Sequence, residues 1–183
     1  MTTAEFWNQQ QFSYLVTHSF NRGPKLAALH EAAAAIEQAK QELQQARFMQ
    51  RASLLQKLRS LEEEFSGNVP LKTLSDEKSV IGDAAEKIAV IERESAVAQQ
   101  LSEALQTPNS EEFASGCVPI YRDALAFYDD HDKLLRVLNI CFQCLFMQTD
   151  DGVMVEASVE TYYKLRELLL QLGHPIETAG EQE

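Results

Sequence analysis

The chain has 183 residues, 45% of them hydrophobic, which is enough for a core, and its net charge of -12 opposes attraction to a phosphate backbone and excludes nucleic acid as an expected partner. Only 7 glycines and 5 prolines interrupt a composition rich in Ala, Leu, Gln and Glu, so long helices and an all-α fold are expected. No apolar run reaches the roughly 20 residues of a membrane span, and the N-terminus lacks a secretory pattern.

The opening "MTTAEFWNQQQFSYLVTHSF" offers a capping box from Thr2 to Glu5, and Phe12, Leu15, Val16 and Phe20 then recur at helical spacing. Residues 1–23 read as an N-terminal helical arm that Phe6, Trp7 and Phe12 anchor on the rest of the chain. "NRGP" breaks the arm, and Pro24 suits the first turn of the next helix.

After Pro24 there is neither glycine nor proline up to Phe65, which predicts one long helix with Leu26, Leu29, Ala33, Ile36, Leu43, Leu54, Leu58, Leu61 and Phe65 along its apolar seam. The eleven-residue step from Leu43 to Leu54, among steps of seven, reads as a stutter in a coiled coil. Ser75 suits a cap, and Ile81, Ala84, Ile88, Ile91, Ser95, Ala98 and Leu105 continue a heptad-like register. Residues 24–106 are therefore expected to form a long antiparallel helical hairpin, with Gly82 as its weak point. A 42-residue helix would reach about 63 Å, beyond the roughly 40 Å breadth of a compact chain of this length, so its seam would need a cover. The N-terminal arm, a second copy in a homodimer, or a foreign protein could supply one.

Residues 107–173 are expected to form a compact acidic helical bundle, and 174–183 a flexible tail. Ser110 and Pro119 start short helices in this reading, and Asp130 or Asp132 caps "KLLRVLNICFQCLFMQ", apolar on nearly every side and so a buried central helix. "TDDG" is a turn. The last helix runs near Val155 to Leu172 and ends at Gly173 and Pro175. From Thr107 to Glu160 ten acids face Arg122, Lys133 and Arg136, so a basic partner surface would complement this stretch.

Chemical motifs are sparse. Cys141 and Cys144 form a CxxC, but in mid-helix the first thiol lacks the helix N-terminus that activates a redox pair, so core packing is expected. With three cysteines, an odd number, no disulfide framework is expected, which points to a reducing compartment and by default the cytoplasm, although export without a cleaved signal leaves the same pattern. Cys117, before Pro119, is the better nucleophile candidate, with His131 or His174 as a base if folding brings one close. "YDDHDK" has the makings of a solvated turn, and no metal or cofactor motif is present, so none is expected.

Arg47, Arg51, Lys57 and Arg59 form a basic patch with no acid between Glu42 and Glu62. The surplus seam and the missing motifs favour a non-enzymatic interaction module, an adaptor, chaperone or secreted effector, that binds a protein through Leu43, Arg47, Phe48, Arg51, Leu54 and Leu58. The alternatives are a cysteine-dependent enzyme using Cys117 with a histidine, and a ligand-binding bundle with a cavity beside Phe142 and Tyr163.

Overall fold

A computed structural model describes residues 1–66, 85–109 and 117–176. It is a mixed fold, which overturns the all-α, coiled-coil and helical-bundle expectations. Two compact units result, one of Met1–Phe20 with Leu71–Glu183 and the other of Asn21–Pro70.

The larger unit opens with α1 (Thr3–Gln9), where Thr2 accepts from the Glu5 amide and Glu5 accepts from the Thr2 amide, the expected capping box. The arm does not stay helical: β1 spans Tyr14–Ser19. After the second unit come β2 (Glu86–Glu92), α4 (Ala96–Leu105), β3 (Asp123–Tyr128), β4 (Leu134–Cys141), β5 (Phe146–Thr149), β6 (Met154–Val155) and α5 (Val159–Gln171). The strands make one antiparallel sheet in the order β2-β1-β3-β4-β5-β6.

Register explains the core. Leu15 lies opposite Ile91 and Phe127, Leu125 opposite Leu138, and Ile140 opposite Met147, so these side chains share one face of the sheet. Phe6 from α1, Leu101 and Leu105 from α4, and Leu165 and Leu169 from α5 join them in one buried cluster. Phe6, Trp7 and Phe12 meet Phe127 edge-on at 5.6, 6.1 and 5.2 Å, so the aromatic anchoring of the arm is present, onto a sheet rather than a helical bundle.

For β1, β3 and β4 the helical expectation fails for one reason. Val16, His18, Ala124, Ala126, Val137 and Asn139, on the opposite face, are buried as well. A strand buried on both sides loses the apolar-polar alternation and reads as a continuous apolar run, which composition then assigns to a helix. "KLLRVLNICFQCLFMQ" is thus β4, a turn at 142–145 and β5, with Leu145 at φ +54° closing the turn. "PIYRDALAFYDD" contains β3. Asp129 accepts from the His131 and Lys133 amides, so the acidic turn joins strands, not helices. "TDDG" likewise joins β5 to β6, with Gly152 at φ +87°.

Helix ends were read more accurately. Ser158 caps α5 through the Thr161 amide, and Gly173 at φ +97° ends it, although Val155 belongs to β6. Among the described residues of the expected return helix, 96–105 is helical, and Ser95 is its cap, accepting from the Ala98 amide at 3.2 Å. The expectations placed on Ser75, Ile81, Gly82, Ala84 and Ser110 lie outside the described residues, as does the tail beyond Ile176.

The smaller unit holds α2 (Pro24–Gln45) and α3 (Phe48–Ser66), with Pro24 in the first turn as expected. The expected single long helix breaks at extended Ala46, inside the eleven-residue step from Leu43 to Leu54. Lys57 Nζ reaches Glu42 Oε2 at 3.4 Å, which shows α3 folded back on α2. Folding back sacrifices a few helical hydrogen bonds and lets two leucine stripes cover each other, at about 25 cal/mol per Å² of apolar area. The antiparallel hairpin is therefore 24–66, not 24–106.

Phe127, fully buried among three aromatic rings, carries much of this core. Phe127→Ala is expected to lower unfolding free energy by about 3–5 kcal/mol in urea titrations, whereas the exposed Tyr163→Ala should change it by less than about 0.5 kcal/mol.

Candidate interaction site

The chemical candidates separate in space or are already engaged. Cys117, before β3, is joined by a disulfide to Cys144 in the β4–β5 turn, a correction to the reading of three free thiols. With that pairing, the cysteine count no longer argues for a reducing compartment. Cys141, at the end of β4, is buried and free, and burial pushes its thiol pKa up, as an inert core cysteine requires. His131 sits in the exposed β3–β4 turn beside Asp130 at 3.7 Å. His174 Nδ1 lies 2.7 Å from Asp123 Oδ1, both side chains buried, so this histidine ties the end of α5 to β3. Bonded to Cys144, Cys117 has no free thiol for either histidine to activate.

His18 on β1 is 5% exposed, and neither ring nitrogen has a partner among the described residues. Burial, with nearby Lys87 and His174 adding to it, pulls its pKa down to about 4. The ring is therefore neutral in the fold at neutral pH. Since the unfolded chain takes up this proton near pH 6.5, stability should fall as pH drops from about 6.5 to 4. In urea titrations across that window, the wild-type protein is expected to lose on the order of 2 kcal/mol more than His18→Leu, which cannot take up the proton.

Phe142 meets Tyr162 edge-on at 6.5 Å, and Tyr163 is 63% exposed, so Phe142 and Tyr163 do not share the interior proposed for a ligand cavity. A groove of about 390 Å³ lies elsewhere, where Trp7 and Gln10 face Ser95 and Ala98 at the start of α4. Arg93 borders it, with its guanidinium 5.2 Å from the centre of the Phe12 ring and donating to the Phe12 carbonyl at 3.0 Å.

The hairpin bend has the opposite character. Phe48 opens α3 at 89% exposure, and Met49, which sequence reasoning passed over, follows at 88%. Arg47 and Arg51 beside them are exposed. Leu54, Leu58, Leu61 and Phe65 are half-buried and form the stripe of α3 that turns toward α2, and Leu43 is half-buried on α2. The expected contact set therefore divides: the leucines hold the hairpin together, while Arg47, Phe48 and Arg51 stand free at its bend. Between Glu42 and Glu62 all four charges are positive, an island within a chain of net charge -12. Long cations around two apolar side chains present an anchor that can enter a pocket and a rim that attracts acids.

No family model matches the chain, no curated protein matches it, and no solved structure matches its fold. No helix among the described residues is long and apolar enough to cross a membrane.

The disulfide closes a span of 27 residues, for which loop entropy implies about 3–4 kcal/mol. Untreated protein is expected to leave Cys117 unlabelled by iodoacetamide at neutral pH. Reduction should expose it and lower stability by roughly that amount, as should Cys117→Ser. Rapid labelling without reductant would return Cys117 to the list of reactive thiols.

Proposed function

We propose that this chain is a non-enzymatic protein–protein interaction module, acting as an adaptor, chaperone or secreted effector through the bend of its α2–α3 hairpin. The observation that carries the reading is the adjacent exposure of Phe48 and Met49 at 89% and 88%. Solvent-exposed aromatic and methionine side chains next to each other are unfavourable in a lone soluble protein and favourable once buried against a partner, at about 1.5–3 kcal/mol each. Arg47 and Arg51 define the partner as a protein with an apolar pocket and an acidic rim.

Two alternatives receive less support. The cysteine enzyme needs a free Cys117, which is paired with Cys144. A basic partner for the acidic stretch 107–160 has fewer free acids to meet than the sequence suggests. Asp123 is held by His174, and Arg136 lies 3.7 Å from Asp150 and 2.7 Å from Asp151.

Affinity capture from the cells that make the protein tests the proposal. Phe48→Ser with Met49→Ser, and separately Arg47→Glu with Arg51→Glu, should each reduce recovery of the same bound protein by about tenfold or more. Thermal unfolding should be unchanged, because these side chains contact little of their own chain. Tyr163→Ser, an exposed aromatic on α5, should leave recovery intact. Equal recovery by both hairpin variants would refute the assignment.

A further inference from the structure

The two edges of the sheet are finished differently. At the β6 edge the strand is two residues long, and the N-terminus closes over its end: the Thr3 amide donates to the Glu156 carbonyl at 3.0 Å and the Glu156 amide to the Met1 carbonyl at 2.8 Å. At the other edge β2 is seven residues long, and among the described residues no strand lies outside it. Glu86, Lys87, Val90 and Glu92 of β2 are exposed, and Val90 is 49% accessible. An exposed edge of β-forming residues without proline or glycine is a template for another strand.

The orientation of this edge follows from the ladder. The Arg93 amide donates to the Ser13 carbonyl at 3.1 Å, so the backbone groups of Arg93, Ile91 and Ala89 face β1. Those of Val90 and Glu92 then face outward. Between Thr17 and His18 the register shifts: Thr17 lies opposite Ala89 but His18 opposite Lys87, leaving Ile88 unmatched. The shift resets the alternation, so the backbone groups of Lys87 face outward too. Three residues, Lys87, Val90 and Glu92, thus offer a full donor and acceptor to an incoming strand.

We infer that β2 pairs with β2 of a second copy of this chain, antiparallel about a two-fold axis through Val90. In that register Val90 faces its own copy, Lys87 faces the second copy's Glu92, and Glu86 faces the second copy's Arg93. Ile91 comes opposite the Ile88–Ala89 step. Every pair places side chains on the same face of the joined sheet, as antiparallel neighbours require. The outward pairs exchange about six backbone hydrogen bonds, two in each of three narrow pairs. Moving the strands by one pleat repeat sets Val90 against Lys87, which leaves Lys87 without an acid, or against Glu92, which carries Lys87 past the end of β2 to the second copy's Glu94 in the turn. Glu86, Lys87, Glu92 and Arg93 sum to zero charge in a chain of net charge -12, so this is a strip along which two acidic copies approach without repulsion. The sequence "EKIAVIER" is therefore complementary to itself in the antiparallel sense, once the unmatched residue is counted.

This pairing is independent of the hairpin bend, whose variants should not alter it. Sedimentation velocity across a concentration series is the test. Wild-type protein should pass from 20.6 kDa to twice that mass as concentration rises. Lys87→Glu and Glu92→Lys should each weaken dimerisation by about tenfold or more, because each sets two like-charge contacts across the axis. Together in one chain, Lys87→Glu and Glu92→Lys restore the opposite-charge pairs and should recover the dimer. Val90→Pro, which removes an outward amide without touching the β1 ladder, should be monomeric with an unchanged thermal midpoint. If Val90→Pro fails to fold, the charge exchange decides alone. A wild-type monomer at the highest soluble concentration, a dimer indifferent to the single substitutions, or no recovery in the double variant would each overturn the pairing.

Discussion

The central constraint of this fold is the burial of β1, β3 and β4 on both faces. Leu15, Leu125, Phe127, Leu138 and Ile140 fill the face shared with α1, α4 and α5, while Val16, Ala124, Ala126 and Val137 are equally hidden on the other. Polar groups on strands in that position are costly to ionise or leave unpaired, so the few polar residues there acquire special properties. His18 is held neutral, and Asp123 is matched to His174. The sheet must also end somewhere, and the two ends were solved separately: the N-terminus closes one, and a charged, self-complementary strand forms the other.

The hairpin follows a simpler rule. A single helix from Pro24 to Ser66 would leave its leucines in water along its whole length. Doubling back at Ala46 and Arg47 hides Leu54, Leu58, Leu61 and Phe65 about as well as two helices can, and leaves the residues of the bend uncovered. Phe48 and Met49 cannot be buried by either helix, since they sit where the chain reverses. The most exposed apolar side chains in the described structure are thus a direct consequence of how the leucine stripes pair.

These features divide the molecule by role. The larger unit supplies rigidity through an aromatic cluster, a long-span disulfide and capped helices, and carries an edge suited to a second copy. The smaller unit supplies exposed basic and apolar side chains at its helical bend. An activity centred on contact is consistent with where the titratable groups lie: Cys117 is bonded, Cys141 is buried, and His131 is in a turn.

Several features were legible from local chemistry alone. The capping box at Thr2 and Glu5, Pro24 at a helix start, Gly173 at a helix end, the turns at "YDDHDK" and "TDDG", and the basic patch around Arg47 and Arg51 all depend on residues a few positions apart, and all are present. What tertiary structure alone decided was the state of the apolar segments. "LVTHS", "DALAFY" and "LLRVLNIC" carry no clear alternation, because both their faces are largely buried, and whether such a run coils or extends depends on whether distant strands are there to take its hydrogen bonds. The pairing of Cys117 with Cys144 and of His174 with Asp123, and the reversal at Ala46, depend in the same way on contacts that no local spacing encodes.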